Sequence, residues 1–207
     1  MNKPVILIGN GGHAKVLTSI LLQQNRLIIG FTAPEFQENP FNIPYLGTDE
    51  IIGSYNSGDI ELVLCIGSVS VPTLRSKIFE QFKEKCYTFS SVIHQSAIIT
   101  TYSTLGEGVQ IMAGSVIEPF VKIADNTIIN TSSSINHGCK IGKHCHIAPG
   151  TTLSGNVTVG EVTHIGAGST VIQNVQIGNH VLIGAGSLVL QSINDKRKAF
   201  GVPAKEM

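Results

Sequence analysis

A small doubly wound α/β domain followed by a parallel β-helix of hexapeptide repeats is the fold that this 207-residue sequence predicts, on three observations. A valine, leucine or isoleucine falls on every sixth position from Ile93 to Val189 without a miss. Two residues ahead of each marker from Ile99 onward sits a small side chain. Before the repeat begins, short apolar runs alternate with amphipathic helical stretches.

The marker track starts at Ile93, Ile99 and Leu105 and ends at Ile177, Ile183 and Val189, seventeen positions in unbroken register. A helix repeats every 3.6 residues and a strand every two, so a period of six fits neither. It fits a triangular prism in which every sixth residue begins a new face. The small track runs from Ala97 and Ser103 through Cys139, Cys145 and Thr151 to Ser187. Two is the strand period, so both tracks point inward, where bulk is limited. Glycine follows the marker at Gly106, Gly142, Gly160, Gly166, Gly178 and Gly184, as expected where a corner needs unusual backbone angles or close approach. Three hexads make one coil, so residues 18 apart stack about 4.8 Å from one another. Seventeen hexads give between five and six coils, and no insertion breaks them.

The first ninety residues follow another rule. Val5-Ile6-Leu7-Ile8 reads as a buried parallel strand, Gly9-Asn10-Gly11-Gly12-His13 as a glycine-rich turn, and Ala14–Gln23 as a helix. Leu27–Phe31 is a second strand, followed by a loop holding Pro34, Pro40 and Pro44 and a short helical stretch near Thr48–Ser54. Leu62–Ile66 is a third strand, Val71–Lys85 a second helix and Cys86–Phe89 a last strand. Strands alternating with helices make a doubly wound sheet. The boundaries are therefore expected at 1–90 for the α/β domain and 91–194 for the β-helix, with a C-terminal tail at 195–207.

Composition excludes several classes of partner. Fourteen basic and fourteen acidic residues leave no net charge and no basic stripe, which argues against nucleic acid. The apolar runs are strand-length, so no membrane insertion is expected, and Met1-Asn2-Lys3-Pro4 leads into a strand with no signal-peptide layout. Cys65, Cys86, Cys139 and Cys145 form no CxxC pair, and Cys139 and Cys145 read as small core residues. A reducing, cytoplasmic setting is expected.

The outline Gly9-x-Gly11-x-x-Ala14 resembles a dinucleotide fingerprint, placed correctly between strand and helix. Amides at that helix N-terminus would cradle phosphate. The fingerprint also needs an acidic residue closing the second strand, and Phe31-Thr32-Ala33-Pro34 offers none. A nucleoside diphosphate is the expected ligand rather than NAD, held by Gly11, Gly12 and His13, with Gly67 lining the same crevice at the carboxyl ends of the strands.

These segments, with Gly11-Gly12-His13-Ala14-Lys15-Val16, Asn136-His137-Gly138-Cys139-Lys140-Ile141-Gly142, His146-Ile147-Ala148-Pro149-Gly150 and the tail Gly201-Val202-Pro203-Ala204-Lys205, carry a family resemblance over essentially the whole chain. The sequence resembles bacterial sugar acyltransferases of the sialic acid O-acetyltransferase and nucleotide-aminosugar N-acetyltransferase type. In layout it is most similar to the UDP-4-amino-sugar N-acetyltransferases of the bacillosamine pathway. The resemblance implies a Rossmann-like α/β domain before a left-handed β-helix, acetyl-CoA as co-substrate, a nucleotide sugar as acceptor, no metal, and a homotrimer with the coenzyme lying between neighbouring prisms.

Residue by residue, the resemblance implies His137 as general base, Asn130 orienting it through the backbone carbonyl, and Gly155 offering its amide to the thioester oxyanion. Histidine titrates near neutrality and can take the acceptor's proton. His146, Gly155, Ala167 and Ala185 are expected against the coenzyme, and Ala33, Pro34 and Leu64 beside Gly67 against the substrate. Two positions depart from the family. The acidic residue that follows the catalytic histidine is Gly138 here, and the two acidic residues closing the second strand are Ala33-Pro34. His94, His144 and His180 read as solvated corner residues. Sugar O-acetylation, a zinc hydratase using His137, His144, His146 and His164, and a non-enzymatic nucleotide-sugar binder remain as alternatives.

Overall fold

The computed structural model describes residues 3–207. The chain divides into two compact units, the first holding the residues through Gly67 together with Lys77–Val92, the second Ser68–Ser76 and Ile93–Met207. Helix α2 (Thr73–Glu84) thus has its first turn in the second unit and the rest in the first.

The first unit is a parallel sheet of β1 (Val5–Ile8), β2 (Ile28–Thr32), β3 (Tyr45–Gly47) and β4 (Glu61–Leu64) in the order β3-β2-β1-β4. Helix α1 (Gly12–Gln23) links β1 to β2 and buries Ala14, Leu17, Ile20 and Leu21. All four residues of β1 are buried, which is why that strand reads as a continuous apolar run rather than an alternating one. Ile6, Ile8, Leu62 and Leu64 share a core with Phe79, Phe82 and Phe89, where the rings of Phe79 and Phe89 stack at 4.3 Å.

Two elements differ from the sequence reading. The proline-rich loop contains the edge strand β3, which begins one residue after Pro44 and pairs only with β2. A proline preceding a three-residue edge strand removes no ladder bond, so composition hid it. Cys86–Phe89 is not a strand; only Phe89 makes a bridge, to Leu62, and Cys86 turns the chain with φ 62.

The second unit is the prism, a left-handed parallel β-helix. Each face is a stack of two-residue strands paired with those 18 residues away, as Lys122 pairs with Lys140, Ile129 with Ile147 and Ser134 with Thr152. The markers from Ile111 to Val189 are buried, and so is the small track from Val109 to Ser187. Its polar members are satisfied in one repeated way. Each hydroxyl or thiol donates to a carbonyl 15 residues on: Thr127 to Gly142 at 2.8 Å, Ser133 to Ala148 at 3.0 Å, Cys145 to Gly160 at 3.0 Å and Thr163 to Gly178 at 2.8 Å. A buried hydroxyl with that partner costs little, and one without it would cost the full desolvation of the group.

The corners separate the two roles assigned to glycine. Every sixth residue from Gly108 to Gly186 has a positive φ, three after the marker, where Phe120 and Val162 stand as well as glycines. The glycines directly after the markers have no such angle; there the next coil comes too close for a side chain. A β-carbon on Gly166 would lie 2.5 Å from the Ala185 amide nitrogen. The expected tail belongs to the prism unit: Lys198–Phe200 pairs in parallel with Leu182–Ile183, and Lys205–Glu206 returns antiparallel to it.

Gly166→Ala should therefore destabilise the prism by up to about 3 kcal/mol, because backbone rather than side chain must yield. Gly168→Ala, at φ +66 with nothing within 4 Å of the new carbon, should cost only about 1 kcal/mol of left-handed strain. Urea unfolding of the two variants checks the order.

Candidate functional site

In the first unit the turn after β1 is tied to the end of β2, since the Gly9 amide donates to Thr32 O at 2.9 Å with Gly9 at φ +101. Gly11 caps α1 without a side-chain bond, and the first turn carries no acid. The positive end of the helix is thus uncontested and suited to an anion. A β-carbon on Gly11 or Gly12 would meet nothing within 4 Å, so the space beside the turn is open. A β-carbon on Gly67 would come 3.2 Å from that of His13, which brings those two expected residues side by side.

The other substrate candidates are placed differently. The Leu64 side chain is buried in the core and can offer only main chain to a ligand. Ala33 is buried with its amide donating to Gly47 O, and Pro34 is exposed. Asn10 is taken up structurally, donating to Glu38 O at 3.1 Å and accepting from Asn39 at 2.7 Å. The carboxylate missing from the end of β2 arrives from elsewhere: Thr32 Oγ1 donates to Asp49 Oδ1 at 2.6 Å. Nothing in the sequence pattern near Thr32 signals a group 17 residues further on.

In the second unit His137 stands at the corner between strands Ser134–Ile135 and Lys140–Ile141, with an exposed ring. Its imidazole lies over Gly155 on the next coil, where a β-carbon would be 2.5 Å from His137 Cε1 and 2.6 Å from Nε2. The missing side chain at 155 makes that ring position possible. At Gly138 the chain is left-handed, φ +72, and a β-carbon would run into the Asn156 side-chain carbonyl. Asn156 occupies the room that an acidic neighbour of His137 would need.

On the face carrying His146 and His164 lies a groove of about 460 Å³. It gathers the expected His146, Ala167 and Ala185, together with Asn130 and two residues not singled out by sequence, Ser68 and His164. The Asn130 backbone carbonyl accepts from Ser133 N and Ser115 Oγ within its own chain, and its side-chain amide reaches His146 Nε2 at 3.0 Å. His146 Nδ1 meets Ser68 Oγ at 2.9 Å. His164 packs edge-on to His146 with ring centroids 4.9 Å apart, and its burial holds its pKa below the ordinary imidazole value.

His144 is not the solvated corner that sequence suggested. It is 5% exposed, with Nδ1 2.9 Å from the Asn126 amide, and Asn126 in turn exchanges hydrogen bonds with Arg75 on the Ser68–Ser76 segment. That segment covers the corner, a burial invisible in the repeat itself. His180 is exposed, and His94 is half-buried with Nδ1 accepting from Ser96 N. Cys139 and Cys145 are free, buried thiols, and burial pushes Cys145 up to about 12. Among the described residues no group of three or more His, Cys, Asp or Glu could hold a metal ion, and no helix is long and apolar enough to cross a membrane.

With this geometry in view, comparison with known proteins is direct. The PglD N-terminal domain family matches residues 4–82, and the bacterial transferase hexapeptide family (six repeats) matches 102–133, 120–155 and 156–191. Comparison with curated proteins finds no match. A histidine-to-alanine mutant of GDP-perosamine N-acetyltransferase from Caulobacter crescentus, solved with CoA and GDP-perosamine, is 33% identical with TM-score 0.92, covering 99% of this chain and 96% of that one. The acetyltransferase domain of PglB from Neisseria gonorrhoeae, also solved with acetyl coenzyme A, is 28% identical with TM-score 0.93 over the full length of both chains. AntD, an N-acyltransferase from Bacillus cereus, shares the fold at 22% identity and TM-score 0.53, covering 61% of this chain and 87% of that one. The chain belongs to the hexapeptide-repeat bacterial sugar acyltransferases, the family of acetyl-CoA-dependent enzymes that its motifs resemble.

The buried His164 sets a pH dependence. In the unfolded chain an imidazole takes up a proton near pH 6.5, while the folded protein holds His164 neutral to lower pH. The unfolded state then binds more protons, so this contribution is complete above that pH and lost as pH falls below it. Unfolding midpoints at pH 7.5 and 5.5 should lie closer together in His164→Gln than in the wild type.

Proposed function

We propose that the protein N-acetylates an amino sugar carried on a nucleoside diphosphate, with acetyl-CoA as donor and His137 as general base. UDP-4-amino-sugars are the first acceptors to test and GDP-perosamine the next. The observation that carries this reading is the His137 ring lying exposed over the side-chain-free Gly155. The other central histidines are spent: His144 on Asn126, His146 on Ser68 and Asn130, His164 buried and held neutral.

In the reaction, the acceptor nitrogen attacks the thioester carbon while His137 takes a proton from it. The Gly155 amide donates to the oxyanion as the tetrahedral centre forms. Collapse breaks the C–S bond, and the proton leaves with the coenzyme thiol, so the products are the N-acetyl sugar and CoA. The Ala167 and Ala185 side of the groove suits the coenzyme arm, and the turn at Gly11, Gly12 and His13 suits the diphosphate. Asn130 belongs to this site through its side chain on His146. A homotrimer, in which His137 of one subunit faces the groove of the next, supplies both halves of the site. The soluble, cytoplasmic setting expected from composition agrees with such substrates.

Asp49 is the carboxylate best placed to meet the nucleotide's ribose, because its second oxygen is not engaged by the Thr32 bond.

Three outcomes follow. His137→Ala should lower kcat/KM by about 10²–10⁴-fold with acetyl-CoA affinity nearly unchanged; a loss smaller than tenfold would return His137 to an ordinary surface residue. Calorimetry should give tighter binding of UDP than of its 2′-deoxy counterpart, a preference that Asp49→Asn abolishes. Light scattering at micromolar concentration should give the mass of three chains, and a monomer would refute the intersubunit site.

A further inference from the structure

The hydrogen bonds around His146 fix which of its nitrogens carries the proton, and they leave one polar atom with its hydrogen directed at the groove. Thr131 N donates to Asn130 Oδ1 at 2.8 Å, so the oxygen of that amide is turned to the backbone and Nδ2 is the end facing His146. An amide nitrogen only donates, and His146 Nε2, 3.0 Å away, must accept. A neutral imidazole that accepts at Nε2 carries its proton on Nδ1. That proton points at Ser68 Oγ at 2.9 Å, so Ser68 accepts there and its own hydroxyl proton is left to give.

Ser68 lines the groove, whose wall is otherwise largely Ala148, Ala167, Leu182, Ile183 and Ala185. A second atom in the same groove points to a polar ligand: His164 Nδ1 is buried with no hydrogen-bond partner in a residue only 6% exposed. A buried polar atom without a partner is costly unless something bound there satisfies it. Two polar points in an apolar trough match an extended arm that carries amide or carbonyl groups at intervals and methylenes between them.

We propose that Ser68 is a positioning residue for the acyl-CoA arm. Its hydroxyl, held by His146 in the Nδ1–H form and strengthened by that bond, donates to a carbonyl oxygen of the bound arm. Asn130 acts one step further back, by fixing the tautomer of His146. This assignment rests on the acetyl-CoA reading above. It also withdraws His146 from acid–base chemistry, because its lone pair is engaged by Asn130 and its proton by Ser68. Ser68 lies between β4 and α2 in sequence, outside the hexapeptide repeat, so the repeat alone could not reveal it.

The tautomer is measured by nuclear magnetic resonance on histidine-labelled protein without ligand, where His146 should show a protonated Nδ1 and an unprotonated Nε2. In kinetics, Ser68→Ala should raise KM for acetyl-CoA about three- to tenfold, the effect of one hydrogen bond. Its kcat and its KM for the amino sugar should stay within twofold of wild type, and Ser68→Thr should restore the coenzyme KM. A merely structural serine would move none of these selectively. An Nε2–H tautomer, or an unchanged acetyl-CoA KM in Ser68→Ala, overturns the proposal while leaving the acyltransferase reading intact. Failure of the wild-type protein to bind acetyl-CoA in calorimetry overturns that reading and this inference together.

Discussion

The backbone ladder between coils constrains everything else in the second unit. Each coil bonds the next through amide–carbonyl pairs such as Gly166 N to Ile183 O at 2.9 Å, and the register is always 18 residues. Holding that spacing over all the coils leaves fixed room inside and at the corners. Inside, the room is filled by one branched aliphatic and one small residue per face. Where the small residue is polar, it bonds to the coil above, as Thr127 and Ser169 do. At the corners, residues directly after the markers are pressed against the next coil and are often glycine.

The candidate site uses the same constraint. His137 and Gly155 are one coil apart and therefore stacked, so removing the side chain from one position makes a seat for the ring at the other. His146 and His164 are related by the same 18 residues and meet edge to face. The ladder brings such residues into contact without any dedicated loop. What differs between the two pairs is burial: the exposed His137 is suited to proton transfer, whereas His146 and His164 sit inside a groove where they serve as fixed polar points.

The first unit relies on a different device. Its glycine turn is fixed to the end of β2 by the Gly9–Thr32 bond, and the strand order places that edge next to β3. The short helix after β3 then delivers Asp49 to Thr32. A carboxylate absent from the end of the second strand in the sequence is thus present at the same place in space. The departure at Gly138 has a counterpart in Asn156, which fills the room an acidic residue would take.

Much of this protein was determined by local rules that the sequence displays openly. The period of six follows from the prism's geometry, because every coil repeats the same inward contacts, and it located both tracks and the stacking of His137 on Gly155. The turn at Gly11, Gly12 and His13 was legible because strand, glycines and helix follow one another directly. Tertiary structure alone decided the burial of His144, since Arg75 and its segment come from outside the repeat. It alone brought Ser68 to His146 across 78 residues and Asp49 to Thr32 across 17. Leu64 illustrates the reverse, a residue at the right strand end whose side chain faces the core. Periodicity fixes which face of an element a residue occupies; which other segment meets that face depends on packing between residues far apart in the chain, and no local pattern records it.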